Sequence, residues 1–197
     1  MSNEKRKYQL RKRADDMADT RRRITEATIE LHGSVGPAHT TISAVAERAG
    51  VQRHTVYRHF PTEQDLFDAC SSHYATQHPL PDPGAWGTID DPRQRLTTAL
   101  DELFAYYERT QAMWSNVYRD IDMPVVQATM KPMNAYFEDV VSVLSRGWPR
   151  RRALTAALRH GVSFPSWLSL VHEGGISRAQ GVTLVSALVE AAGSPAA

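Results

Sequence analysis

Residues 40–67 read TTISAVAERAGVQRHTVYRHFPTEQDLF, and the spacing within this stretch decides the fold. Thr40 or Thr41 can cap a helix, because a side-chain oxygen there accepts an otherwise unpaired N–H. Ile42, Val45, Ala46 and Ala49 then recur at i, i+3, i+4 and i+7, which sets one apolar stripe on one helical face. Gly50 follows the last periodic residue, where a left-handed backbone ends a helix without a Cβ clash. Val51 packs the turn, and Gln52 to His59 form a second short helix with Val56 and Phe60 pointing inward. Pro61 and Thr62 break that helix and cap the next one. The pattern is a helix-turn-helix.

The inward residues leave Gln52, Arg53, His54 and Thr55 at the exposed start of the second helix. In DNA-binding units of this kind that end enters the major groove and meets base edges. Gln pairs bidentately with adenine, Arg with guanine, and a Thr methyl can touch thymine. Tyr57, Arg58 and His59 lie one turn further on, within reach of phosphates that position the helix without reading sequence. The plainer alternative is a three-helix core fragment with a solvated polar face. Against it, no carboxylate occurs from Gly50 to Pro61, whereas a merely solvated face usually mixes signs.

The segment from Ile24 to Phe67 resembles the DNA-binding domain of the TetR family of bacterial transcriptional regulators. The residues that carry the resemblance are Ile24, Ala27, Leu31, Gly36, Thr40-Thr41, Ala46, Ala49-Gly50-Val51, Val56-Tyr57-Arg58-His59-Phe60 and Leu66. It implies DNA contacts at Thr41, Gln52, Arg53, His54, Thr55, Tyr57 and His59. It also implies dimerisation through the last two helices, and a pocket in a helical body whose occupant changes the separation of two DNA heads. Two positions depart from the family pattern. His32 stands where a core aromatic is usual, and Glu63 stands where a phosphate-contacting lysine is common.

The chain has 197 residues, 42% of them hydrophobic, enough for a small domain joined to a larger one. Net charge is +1, but residues 1–60 hold 12 Lys/Arg against 7 Asp/Glu, and residues 61–197 hold 11 against 15. A basic head on an acidic body suits a protein that docks on nucleic acid at one end. A single cysteine, Cys70, excludes an internal disulfide and fits a reducing compartment. No run approaches a membrane span, and no apolar segment follows the charged start as a signal peptide requires. The expectation is a cytoplasmic protein with no membrane partner.

Three domains are expected: a basic flexible arm over 1–18, a helix-turn-helix domain over 19–76, and a helical ligand-binding and dimerisation domain over 90–193. The arm carries Lys5, Arg6, Lys7, Arg11, Lys12 and Arg13, and reads either as a solvated tail or as a segment lying along DNA, in the minor groove as basic arms can. The first helix is expected from Asp19 or Thr20 to Val35, with Ile24, Ala27, Thr28, Leu31 and Val35 buried. Arg21, Arg22 and Arg23 then sit at its start, where a cation is disfavoured and a DNA phosphate, or else Asp15, Asp16, Asp19 or Glu26, supplies an anion. Thr62 and Asp65 form a capping box for a helix reaching about Tyr74. Residues 77–93, with Pro79, Pro81, Pro83 and Pro92, read as a loop.

The body reads as all-α: Pro92 to Thr110, a short helix around Ala112 to Arg119, Pro124 to Leu144, Arg151 to His172, and Ser177 to Ala192. The last two are apolar on more than one face, so each needs cover on two sides, and a second copy of the chain is the economical cover. Phe104, Tyr107, Trp114, Tyr118, Met130, Phe137, Phe164 and Trp167 are the candidates for a pocket suited to an apolar or aromatic small molecule. Most such side chains are plain core. Pro165 should bend its helix and open space beside it.

The same residues bear on rival readings. No nucleophile elbow, paired-carboxylate motif or phosphate-cradling glycine loop appears, so an enzyme is not expected. His73 and His78 miss the one-face spacing of a helical metal pair, and no metal or cofactor is expected. A helix-turn-helix that acts mainly through protein–protein interaction, without a small-molecule effector, is the remaining alternative. The favoured expectation is a homodimeric repressor that binds a pseudo-palindromic double-stranded operator and is released by a small effector.

Overall fold

The computed structural model describes residues 3–194, and within them every regular element is helical. Residues 1 and 2 of the expected arm lie outside that range. The α-helices are α1 (Asn3–Ser34), α2 (Ile42–Ala49), α3 (Arg53–His59), α4 (Glu63–Gln77), α5 (Pro83–Trp86), α6 (Pro92–Arg119), α7 (Pro124–Thr129), α8 (Lys131–Leu144), α9 (Arg152–Gly161), α10 (Phe164–Trp167) and α11 (Arg178–Gly193). A 3-10 turn, Pro37–His39, lies between α1 and α2, and a π-helical turn, Leu168–Glu173, follows α10. Two compact units result. The first comprises Met1–His78 and Ser115–Thr129, the second Pro79–Trp114 and Met130–Ala197. The body expected over 90–193 therefore gives up residues 115–129 to the first unit.

In the first unit, α1 supplies Ile24, Ala27 and Leu31 to a core completed by Val45, Ala46 and Ala49 of α2, Val56 of α3, Phe60, and Leu66 of α4. Burying each of the larger side chains contributes roughly 1.5–3 kcal/mol. The expected caps are present. Thr41 Oγ1 accepts from the Ala44 N–H, Gly50 ends α2 at φ 65°, and Thr62 with Asp65 closes both arms of a capping box on α4.

Two expectations fail here. Val35 is 44% exposed, because α1 ends at Ser34 and its phase is lost. The helix also starts at Asn3, not near Asp19. No Pro or Gly occurs before Gly33, and Lys, Arg, Gln, Leu, Ala and Met are good helix formers. The packed C-terminal half supplies the nucleus that a short isolated helix lacks. Residues 3–18 are thus a helical extension, and Arg21 to Arg23 lie mid-helix, away from the dipole end.

In the second unit, the proline-rich segment contains α5, capped by Asp82 and started by Pro83. Trp86 is buried and its indole N–H donates to Glu102 at 2.8 Å. Arg95, also buried, donates to the carbonyls of Ile89 (2.7 Å), Asp90 (3.1 Å) and Arg146 (2.7 Å), fastening this segment to the turn after α8. The expected break at Thr110 is absent. Thr110 is buried with its hydroxyl donating to Tyr106 O at 2.7 Å, and no Pro or Gly interrupts α6. The helix expected over Pro124–Leu144 divides at Met130, where Pro132 removes an N–H from the first turn of α8.

The helix expected over Arg151–His172 is three pieces: α9, α10 begun by Pro165, and the π-helical turn. These breaks let Leu154, Leu158, Val162, Phe164 and Trp167 point inward, while Leu168 and Val171 are half-buried. Val182, Val185 and Val189 are buried, while Leu184 and Leu188 are 51% and 46% exposed.

His32 takes the place of a core aromatic and behaves as one. It is buried, its ring centroid lies 4.6 Å from that of Phe67, and its Nδ1 is 3.7 Å from Cys70 Sγ. Desolvation lowers its pKa to about 4, against a smaller raising effect from Asp120. Folding therefore keeps the ring neutral while the unfolded chain binds a proton below about pH 6.5, so stability falls as pH drops through that value toward 4. We expect a loss of about 3 kcal/mol between pH 7 and 4 from this site. Chemical denaturation across that range measures it, and His32→Phe should flatten the slope.

Candidate nucleic-acid interface

The recognition-helix candidate is α3, whose seven residues are too few to be stable alone. Its orientation is set from behind by Val56 and Phe60, 0% and 2% exposed. Gln52, Arg53, His54, Tyr57 and Arg58 are consequently exposed, with Thr55 half-buried. They form one surface with two arginines and no carboxylate. Thr41 is exposed at the start of α2, with its oxygen engaged in the cap, leaving its methyl and remaining valence outward. His59 differs from expectation. It is half-buried, its Nε2 is buried without a hydrogen-bond partner among the described residues, and burial lowers its pKa, aided by Arg58 and Arg21. A neutral, inward-leaning imidazole can offer DNA one nitrogen at most.

Two supports of this surface carry no signal in the local sequence. Arg21 Nη1 donates to His59 O at 2.6 Å, and its guanidinium lies 4.0 Å from the Phe60 ring centroid. Arg23 Nη1 donates to Ala49 O at 2.9 Å. Each satisfies an orphan carbonyl at a helix C-terminus, where a cation is also favoured by the dipole. Thus α1 caps both α2 and α3. Arg22 pairs with Asp19 and Glu26 at 2.7 and 2.9 Å, the protein anions that the sequence offers as the alternative to phosphate.

The connection between α1 and α2 is held by residues about 84 positions away. Asn116 Nδ2 donates to His32 O and Gly33 O, each at 2.9 Å, and Arg119 Nη2 donates to Val35 O at 2.8 Å. Asp120, buried, accepts from the Ala38 N–H at 3.0 Å and pairs with Arg119, whose hydrogen bond holds its carboxyl below the usual range despite burial. Gly36 sits at φ 92°, and a Cβ there would collide with Arg119 Nη2. No periodic signal marks these residues; their partners are main-chain groups far away in sequence.

The aromatic residues expected to line a pocket divide between the units. Tyr118 belongs to the first, where burial raises its pKa. In the second, Tyr107 stands within 6.0 Å, centroid to centroid, of Trp114, Phe164 and Trp167, and donates to Val162 O at 2.7 Å. Phe137 reaches Trp114 at 6.4 Å, and Phe104 is fully buried. Met130 is half-buried at the break before α8. Six of the eight residues are thus closely packed or fully buried within the second unit. Trp167 Nε1 is buried among them with no hydrogen-bond partner in the described residues.

No group of three or more His, Cys, Asp or Glu among the described residues is placed to hold a metal ion, and no helix there is long and apolar enough to cross a membrane. Cys70 is buried, which pushes its thiol up to about 12.

The arrangement defines an all-α helix-turn-helix protein. Residues 24–70 match the family of bacterial regulatory proteins, tetR family. Over 70 residues it is 36% identical to the HTH-type transcriptional regulator SrpR of Pseudomonas putida, and equally so to the uncharacterized HTH-type transcriptional regulator TtgW of the same species. The match is 36% of this chain, and spans 32% of SrpR and 51% of TtgW. The fold is also that of a TetR-like transcriptional regulator from Rhodococcus sp. RHA1, with a TM-score of 0.64 at 16% identity, over 87% of this chain and 93% of the other.

Because Arg21 holds the end of α3, Arg21→Ala should weaken duplex DNA binding several-fold with the helix content of the chain retained. Arg21→Lys keeps a donor and a cation but not the planar guanidinium, and should fall between. Fluorescence anisotropy on a labelled duplex, with circular dichroism as control, measures both.

Proposed function

We propose that the protein is a ligand-responsive transcriptional repressor that binds a pseudo-palindromic operator as a homodimer. The observation that carries this reading is the exposed, carboxylate-free face of α3, with Gln52, Arg53 and His54 at its leading end. Arg53 and Gln52 suit bidentate recognition of guanine and adenine, and Thr55 suits a thymine methyl. Tyr57, Arg58 and Thr41 suit phosphates, which fix register without reading sequence. His59 contributes mainly by packing, and Glu63, exposed at the start of α4, repels rather than grips the backbone. The protein acts by binding, in the cytoplasm where its DNA lies.

A second copy of the chain is the cover for α11. Leu184 and Leu188 recur at i and i+4 with Ala187 and Ala191 exposed beside them, an apolar strip of the kind that marks an interface. A two-fold axis through it pairs the same patch on both copies and gives one α3 per half-site. The effector reading rests on the second unit's ring cluster. Trp167 Nε1 is a buried donor without an acceptor among the described residues, which costs about 1–3 kcal/mol until one is supplied. An apolar or aromatic molecule bearing a carbonyl or ether oxygen would supply it. Such a ligand releases DNA only by binding one of two states more tightly, and DNA must oppose the ligand by the same factor.

Selection from random duplex DNA should enrich a palindrome. Arg53→Ala should then cost about 1–3 kcal/mol on that sequence and little on unrelated DNA. Enrichment without two-fold symmetry would contradict the dimer, and no enrichment at all would favour a protein partner. Leu184→Glu with Leu188→Glu should yield a folded monomer in sedimentation, with the palindrome bound no better than its half-site.

A further inference from the structure

The N-terminal half of α1 has no role in the fold, and its chemistry is specific. Between residues 5 and 13 there is no carboxylate. Arg6, Lys7, Arg11, Lys12 and Arg13 are all exposed, and none is in an ion pair with another described residue. The arginines further along differ: Arg22, Arg23 and Arg48 each have a carboxylate partner, at 2.7 to 3.3 Å. Nor does the extension present an apolar face to another helix. Leu10 and Met17, seven apart, share a side, but Tyr8 falls opposite, and all three are more than half exposed. Cations interrupt each of these sides: Arg6 and Arg13 share the face of Leu10 and Met17, Lys12 falls beside Tyr8, and Lys7 and Arg11 lie between the two. Like charges at i, i+4 strain a helix, and an anionic surface relieves that strain.

The anchorage of the extension fixes where it starts. Arg21, two residues beyond Asp19, is bonded to the last turn of α3, beside Tyr57 and Arg58. The 16 residues 3–18 therefore leave the fold at the C-terminal edge of the candidate interface, as a rod about 24 Å long. Helical form also excludes one destination. A helix with side chains is about 10–12 Å across, and the minor groove is about 6 Å wide.

We propose that residues 3–18 form a rigid basic spar that lies against the backbone phosphates of duplex DNA flanking the segment under α3. The inference rests on the DNA-binding reading of α3 and adds to it a second, sequence-independent contact outside the operator core. Each phosphate neutralised steepens the dependence of log affinity on log salt by about 0.9.

The test is anisotropy with a random-sequence duplex of about 30 bp across about 50 to 300 mM salt, comparing the intact chain with a variant carrying R6Q, K7Q, R11Q, K12Q and R13Q. Gln preserves helix propensity, and circular dichroism checks the fold. We expect the salt slope to fall by about 2 to 4 per chain and the affinity at the lowest salt to drop at least about tenfold. Ala14→Pro keeps every cation but breaks the rod from its root, and should weaken binding several-fold. An unchanged slope in the neutralised variant overturns the spar while leaving α3 as the DNA-binding element. Unchanged affinity in Ala14→Pro overturns the rigid mounting. If the intact chain binds no duplex at any salt, the DNA-binding reading falls, and the spar with it.

Discussion

What α3 presents outward depends on what Val56 and Phe60 do inward. A seven-residue helix has too few internal hydrogen bonds to persist by itself, so its existence and rotation are both consequences of burial. The two inward side chains share a core with Ile24 of α1 and Val45 of α2, the two most buried aliphatics of those helices. A change of phase by one residue would turn Arg53 and Tyr57 toward the core. The same helix that buries Ile24 also sends Arg21 and Arg23 to the ends of α3 and α2. Packing and capping therefore converge on α1, which sets the position of both shorter helices.

The second unit is held in a different manner. Many of its rings meet edge to face, and its polar fasteners are buried or half-buried groups that bond main-chain oxygens: Arg95 to four carbonyls, Tyr107 to Val162, Tyr136 to Pro81. A guanidinium satisfied by carbonyl dipoles escapes the competition for protons that a buried carboxylate partner would introduce. It also spans gaps between segments distant in sequence, which aliphatic contacts alone would leave free to slide.

The helix-turn-helix is legible because every signal for it is local. Caps at Thr41 and Thr62, the left-handed Gly50 and a period of 3.6 all act within a few residues of themselves. Where the decisive partner is distant, the sequence misleads. Arg21 to Arg23 look like cations at a helix start in want of phosphate, yet two of them serve carbonyls 26 and 38 positions away. Asn116, Arg119 and Asp120 follow no pattern, because a main-chain partner leaves no trace in composition. Prolines mislead in both directions. Pro83 begins α5 within the expected loop, whereas Pro132 and Pro165 divide stretches whose apolar period runs on across the break. The candidate DNA contacts are the easiest part of the site to name, since outward residues follow once the inward ones are known. The ring cluster is harder, because aromatic spacing is the same whether the rings enclose a ligand or only one another.

The distribution of tryptophan has an optical consequence. All four, Trp86, Trp114, Trp148 and Trp167, lie in the second unit, three of them buried and Trp148 half-buried. The helix-turn-helix unit contains none, only tyrosines such as Tyr57 and Tyr74. Emission excited at the red edge therefore comes from one unit alone, while far-ultraviolet ellipticity comes from both. The chain carries a built-in reporter for one half of itself and is dark in the other, so any difference between the two signals during denaturation separates the events in each half without a label.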